Sequence, residues 1–204
     1  VNGASTGTGI EWTPNMLPDG ITARVFYTPD VSGGSTSNDK ANSGASTTSG
    51  HGYDITLELS DAVTGMAGFT IGAGYSSTDN PKAGQGNITD TTIYATYAIG
   101  GLTLGYQWSE ADLGTTTAAQ QYDNEGYGIT FAINDDLSVG YNNYESEQTN
   151  TGGDVTNKAS SYQIAYSMGG ASLRLAQGSG DNMAYQTGAT YDRDNTVLSV
   201  SLAF

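Results

Sequence analysis

The chain has 204 residues, enough for one domain. Its 21 Asp and Glu against 6 Lys and Arg leave a formal net charge of -15, which excludes the basic footprint of nucleic-acid binding and a polybasic lipid anchor. Cysteine is absent, so disulfides, thiolate metal sites and cysteine nucleophiles are excluded too.

Helical periodicity is weak, because Gly, Ser, Thr and Asn interrupt nearly every window. Period-two alternation recurs instead from one end to the other. TGIEWT places Ile10 and Trp12 on one parity, and ITARVFYT places Ile21, Ala23, Val25 and Tyr27 there. YDITLELS sets Tyr53, Ile55, Leu57 and Leu59 against Asp54, Thr56, Glu58 and Ser60. GFTIGAGY, TTIYATYAI, LTLGYQWS, YGITFAI, LSVGYNNY, SYQIAYSM and ASLRLA continue the pattern. The closing TVLSVSLAF repeats it with Leu198, Val200, Leu202 and Phe204, which makes eleven predicted strands.

The connections alternate in kind. PNMLPDG (14–20), DAVTG (61–65), GG (100–101), NDD (134–136) and GG (169–170) are short, and Gly and Asn suit tight turns. Residues 29–51, 77–90, 110–123, 145–158 and 179–193 are expected as longer polar loops. Short turns on one side and long loops on the other describe an up-and-down barrel of the outer-membrane type.

No apolar run reaches the ~20 residues of a membrane helix, but a barrel carries its membrane signal in alternation. A soluble sandwich alternates as well, yet it must cover its apolar face with a second layer. This chain offers no helices for that, and the opposite parity is Ser, Thr, Gly and Asn. Aromatics of the apolar parity stand near strand ends: Trp12, Tyr27, Tyr53, Tyr75, Trp108, Tyr127 and Tyr162. Those are the heights at which amphipathic rings meet lipid headgroups. Charged residues within the strands are expected to avoid the apolar parity. Glu11, Arg24, Asp54, Glu58 and Arg174 all take the other one, which makes them candidate pore-lining residues.

The reading is therefore all-β: a transmembrane antiparallel up-and-down β-barrel, with short periplasmic turns and long extracellular loops. Residues 1–204 form one barrel domain. The last strand runs toward the short-turn side, and so does the first, so an even-stranded closed barrel needs an odd number of further strands before it. The expectation is a chain lacking its N-terminal strands, eleven of about sixteen.

Three stretches carry a family resemblance: NDDLSVGYNNYESEQT, SSYQIAYSMGGASLRLAQ and NTVLSVSLAF. They resemble the general porins of alphaproteobacteria, marine forms above all. WTPNMLPDGITARVFYTPD and TYAIGGLTLGYQWSE fit the same pattern. The resemblance implies a 16-stranded homotrimer in the outer membrane of a Gram-negative bacterium. It implies passive diffusion of ions and small hydrophilic solutes, without enzymatic activity. It also makes Phe204 the signal read by the outer-membrane assembly machinery.

Little else carries chemistry. His51, the lone histidine, is read as a solvated loop residue rather than a member of a hydrolytic triad. Glu145 with Glu147, and Asp192 with Asp194, are weak candidates for loop-bound Ca2+ or Mg2+, without the repeat of ligand spacing a calcium loop shows. Bridging of lipopolysaccharide by divalent ions is a secondary use for them, and no cofactor is expected. The acidic connections predict a negative mouth and a weak cation preference. The alternatives are a substrate-specific outer-membrane channel and a non-membrane surface β protein, adhesive or structural.

Overall fold

The computed structural model describes residues 8–30, 50–80, 85–115 and 119–202. They form one eleven-stranded sheet in which sequence order equals spatial order. The strands are β1 Thr8–Trp12, β2 Ile21–Asp30, β3 Gly52–Leu59, β4 Phe69–Thr78, β5 Ile88–Ile99 and β6 Leu102–Asp112. They continue with β7 Ala119–Ala132, β8 Leu137–Asn150, β9 Val155–Met168, β10 Ala171–Asp181 and β11 Arg193–Leu202. Each pairs antiparallel with its chain neighbours. One helical turn, α1 (Asp61–Thr64), sits between β3 and β4. Gly100 and Gly169 adopt φ of 56° and 57°, the left-handed backbone that the two Gly-Gly turns demand.

All eleven predicted strands are present, but the predicted loops are shorter than expected. The 145–158 stretch is mostly strand: β8 runs to Asn150 and β9 starts at Val155. Likewise β6 continues to Asp112, β7 begins at Ala119 and β10 extends to Asp181. Polarity there signals water, not the end of pairing. A ladder satisfies its backbone groups whatever the side chains are.

The extensions overturn a second expectation. Glu110, Asp123, Glu125, Glu145 and Glu147 stand on the same parity as the apolar stripe. Glu125 pairs with Trp108 on one side and Glu145 on the other. Charge therefore avoids that parity only along the apolar stretch of each strand, and not beyond the Tyr127 and Tyr162 rungs.

The sheet is one layer thick. Among the described residues, only Phe26 and Ile88 are buried hydrophobics. Leu198, Val200 and Leu202 are 65, 63 and 62% exposed. A continuous apolar face of this kind is stable against lipid and unstable against water.

Depth and parity generate a paired prediction. Ile129 lies on the apolar face, opposite Leu104 and Tyr141, and Thr130 lies on the polar one, opposite Thr103 and Gly140. Ile129→Lys is expected to lower the unfolding free energy in lipid vesicles by about 2–4 kcal/mol. Thr130→Lys should change it little. Urea titrations read by gel mobility of unheated samples compare the two.

Candidate functional site: the polar face of the sheet

Register carries polar residues across the sheet in straight rows. Thr56, Gly74, Thr92, Ser109, Asn124 and Ser146 follow one another as direct partners from β3 to β8. Thr92 Oγ1 donates to the Trp108 carbonyl at 3.2 Å, and Asn124 Nδ2 to the Ser109 carbonyl at 3.3 Å. Such a face is wetted, and its larger hollows lie along it.

One hollow, about 490 Å³, gathers Glu11, Arg24, Glu58 and Tyr94. Arg24 Nη1 stands 3.3 Å from Glu11 Oε2, with both side chains about half exposed. Such a pair orients its two charges but adds at most about 1 kcal/mol of stability. Next to it, the Tyr94 hydroxyl donates to the Glu58 carboxylate. Glu58 is on β3 and Tyr94 on β5, with Gly72 of β4 directly between them. The Tyr94 ring lies over Gly72, where an added Cβ would fall 2.6 Å from Cζ. Glycine is the residue that lets the ring span a whole strand.

Of the predicted pore-lining residues, the fold thus brings Glu11, Arg24 and Glu58 together. Asp54 lies nearer the loop end of β3, buried, between Phe26 and Ser76. Arg174 lies far along the sheet on β10, between Ala165 and Ser199. It makes no salt bridge among the described residues.

A second arrangement went unforeseen. The connection after β10 bends over the polar face of β9 and β8. Asn182 Nδ2 donates to the Thr156 carbonyl at 3.0 Å. Tyr185 reaches β8, its hydroxyl 2.7 Å from Ser146 Oγ, and its ring sits 5.3 Å from that of Tyr122. Ser146 is fully buried beneath it. Burial pushes the Tyr185 phenol above its ordinary pKa, and the Ser146 hydrogen bond opposes this. Asn182, Ala184 and Tyr185 have φ of 54°, 59° and 55°. Left-handed backbone costs a non-glycine residue about 1–3 kcal/mol and persists where surroundings enforce it. The three anchors of this strap do so.

Tyr94, Tyr122 and Tyr144 share a sequence signal that a stripe reading overlooks. Each is an aromatic on the polar parity, and Tyr94 and Tyr144 face a glycine of the next strand, Gly72 and Gly126. Tyr185 carries no such signal, because its connection has no period.

The opposite face holds the predicted interface aromatics. Tyr27 pairs directly with Tyr53, and the rings of Tyr53 and Tyr75 are 6.1 Å apart. Tyr127, Tyr141 and Tyr162 stack with centroids 6.2 and 4.7 Å apart. Trp108 occupies the same belt between Ile93 and Glu125, and Trp12 stands alone near the turn side, 60% exposed. Phe204 lies outside the described residues.

The weak metal candidates do not assemble. Lys158 Nζ holds Glu145 at 3.3 Å, Thr156 donates to Glu147, and Asp192 accepts the Asn182 amide. Asp194 is on β11. No group of three metal-ligating side chains forms among the described residues. His51 is an exposed connection residue, as expected, and it is also paired. Its Nδ1 lies 2.6 Å from Asp79 Oδ2, and its amide donates to the same oxygen, which ties β3 to the end of β4.

The whole chain up to residue 192 matches the family model described as Gram-negative porin. The chain belongs to the Gram-negative porin family. Solved structures agree on the fold. A porin matches with TM-score 0.64 at 15% identity, over 96% of this chain and 61% of its own. OmpF of Salmonella typhi, solved with daunomycin, matches with TM-score 0.68 at 14% identity, over 94% and 60%. OmpT of Vibrio cholerae in its trimer form matches with TM-score 0.57 at 14% identity, over 96% and 60%. No curated protein matches by sequence. The chain therefore spans about three fifths of the length of these porins. As a member of this family it is a β-barrel protein of the bacterial outer membrane.

In this porin chain, Gly72→Ala is expected to cost about 1–3 kcal/mol by driving the Tyr94 ring off its strand. Adding Tyr94→Ala should restore most of that loss. Heat-dependent gel mobility in detergent measures both, and equal stability of the single and double variants would show that the ring does not need the glycine.

Proposed function

We propose that the whole protein is a general porin: a water-filled channel that passes ions and small hydrophilic solutes by passive diffusion. The observation that carries this reading is the single-layer sheet, with one uncovered apolar face and one polar face bearing hollows. Such a wall separates oil from water and needs no catalytic group. In this reading Glu11, Arg24, Asp54, Glu58 and Arg174 line the lumen. Tyr27, Tyr53, Tyr75, Trp108, Tyr127 and Tyr162 sit at one headgroup level, and Trp12 at the other.

Among the described residues, β1 pairs only with β2, and β11 only with β10. Open edges are not tolerated in lipid, so further strands close the barrel. This supports a one-domain reading in which the chain is the C-terminal part of a barrel of about sixteen strands, of the alphaproteobacterial marine type. A homotrimer, contacts with lipid and lipopolysaccharide, and recognition of Phe204 by the assembly machinery belong to the same reading.

The net charge of -15 supports a weak cation preference, since a negative vestibule concentrates cations over about one Debye length. Under a KCl gradient in planar bilayers, the reversal potential is expected to take the sign of cation selectivity. Arg24→Glu should move it further that way, because it replaces the positive partner of Glu11. A clear anion preference of the unmodified protein sinks the proposal of cation selectivity, and absence of conductance sinks the channel.

A further inference from the structure

On the polar face, β6 and β7 form the floor of a trough of about 390 Å³, within the usual range for small-ligand sites. Two adjacent rows cross it. Thr96, Gly105, Gly128 and Asn142 are direct partners from β5 to β8, and so are Tyr94, Gln107, Gly126 and Tyr144. In a chain of net charge -15, no charged side chain and no histidine lines this trough.

The groups that face it are a ring and neutral hydrogen-bonding side chains. Tyr144 is 43% exposed, and its hydroxyl is fixed by donating to Asn124 Oδ1 at 2.7 Å. Among the described residues its ring stacks on no other. Thr96, Gln107 and Asn142 are exposed. Gln107 Nε2 donates to Thr92 Oγ1 at 3.3 Å, and Asn142 Oδ1 accepts from Gln163 at 3.1 Å. Gln107 Oε1, Asn142 Nδ2 and the Thr96 hydroxyl keep no protein partner among the described residues. They present an acceptor, a donor and a group that is both.

The floor is open for no packing reason. Gly105, Gly126 and Gly128 have no left-handed backbone. A Cβ at Gly105 would meet nothing within 4 Å, and at Gly126 or Gly128 its nearest neighbour would stand at 3.6 Å. Glycine weakens a strand interior and marks places where a ligand approaches the backbone. The surrounding groups say which ligand. An ion finds no countercharge here, and an apolar solute would strip water from the amides without replacing it. A sugar meets both demands, since each hydroxyl donates and accepts and its C–H face can lie against a ring.

From this we propose that the trough binds neutral mono- or disaccharides, with Tyr144 as the ring platform and Gln107, Asn142 and Thr96 as hydrogen-bonding partners. The proposal rests on the channel reading and names one substrate class for that channel. Tyr94 lines both this trough and the hollow of Glu11, Arg24 and Glu58, so a charged and a neutral stretch of wall adjoin.

The test uses the complete protein in planar bilayers, with maltose as probe and a polyethylene glycol of equal mass as control. Currents are normalised to bulk conductivity. Maltose is expected to reduce the potassium current saturably, at concentrations about tenfold lower than the glycol, which has hydroxyl donors only at its ends. Tyr144→Ala should weaken that block about fivefold or more, and Gln107→Leu about threefold. Tyr144→Phe keeps the ring and should lose less than Tyr144→Ala. Gly105→Val fills the floor with a residue that strands favour, and it should abolish the block in a channel that stays folded by heat-dependent gel mobility. Equal block by the glycol, or unchanged block in both Tyr144→Ala and Gly105→Val, overturns the site. If no current is seen at all, the channel reading has failed separately. Saturation-transfer NMR of maltose with protein folded in an amine-oxide detergent then decides the site: a signal that Gly105→Val removes supports it, and no signal overturns it.

Discussion

The antiparallel backbone ladder is the constraint from which the rest follows. It pairs every interior N–H and C=O within a sheet one residue thick, so each face is free to meet a different solvent. The hydrophobic effect then acts on one parity only, and no core is required. That is why nearly every large apolar side chain among the described residues stays at least partly exposed while the fold stays regular. The same ladder explains why the strands outlast the apolar stretch. Above the Tyr127, Tyr141 and Tyr162 stack, β8 and β9 go on pairing with Glu, Thr and Lys on the same parity, because pairing does not depend on oil.

On the wet face, order comes from side chains that reach across strands. Tyr94 passes over Gly72 to meet Glu58, two strands away. Arg24 meets Glu11 on the next strand. Neither pair is a strong source of stability at this exposure. Their effect is to hold opposite charges in one hollow, which sets a local field for whatever passes. The strap after β10 does the corresponding work nearer the loop side. It carries Tyr185 onto Ser146 and Tyr122, and it accepts three left-handed residues to do so.

Much of the wall was legible in residue types. Leu198, Val200 and Leu202 alternate with Ser199 and Ser201 because the two faces differ, and the eleven strands follow from repeats of that contrast. Glu11, Arg24 and Glu58 were legible as lumenal because a charge on the apolar parity would be costly at membrane depth. Loop lengths were not legible. Polar residues 145–150 and 155–158 look like a loop by composition, and only their pairing shows a strand. For the same reason Glu145 and Glu147 looked like loop ligands. They are cross-strand neighbours of Glu125, Lys158, Asp123 and Thr156.

The sequence by itself determined which residues can face oil and which water, since that depends on side-chain chemistry and a period of two. It also determined where tight turns fall, since Gly-Gly permits left-handed backbone that other residues resist and the Asn134 side chain accepts the Asp136 and Leu137 amides of its own turn. Only the tertiary structure decided which lumenal residues meet. Register puts Gly72 between Glu58 and Tyr94, and it keeps Arg174 far from Arg24 although both sit alike on their strands. Only the tertiary structure, too, decided where the last connection lies. Its path depends on Ser146 and Tyr122, some forty and sixty residues earlier in the chain, and no local pattern records a contact across that separation.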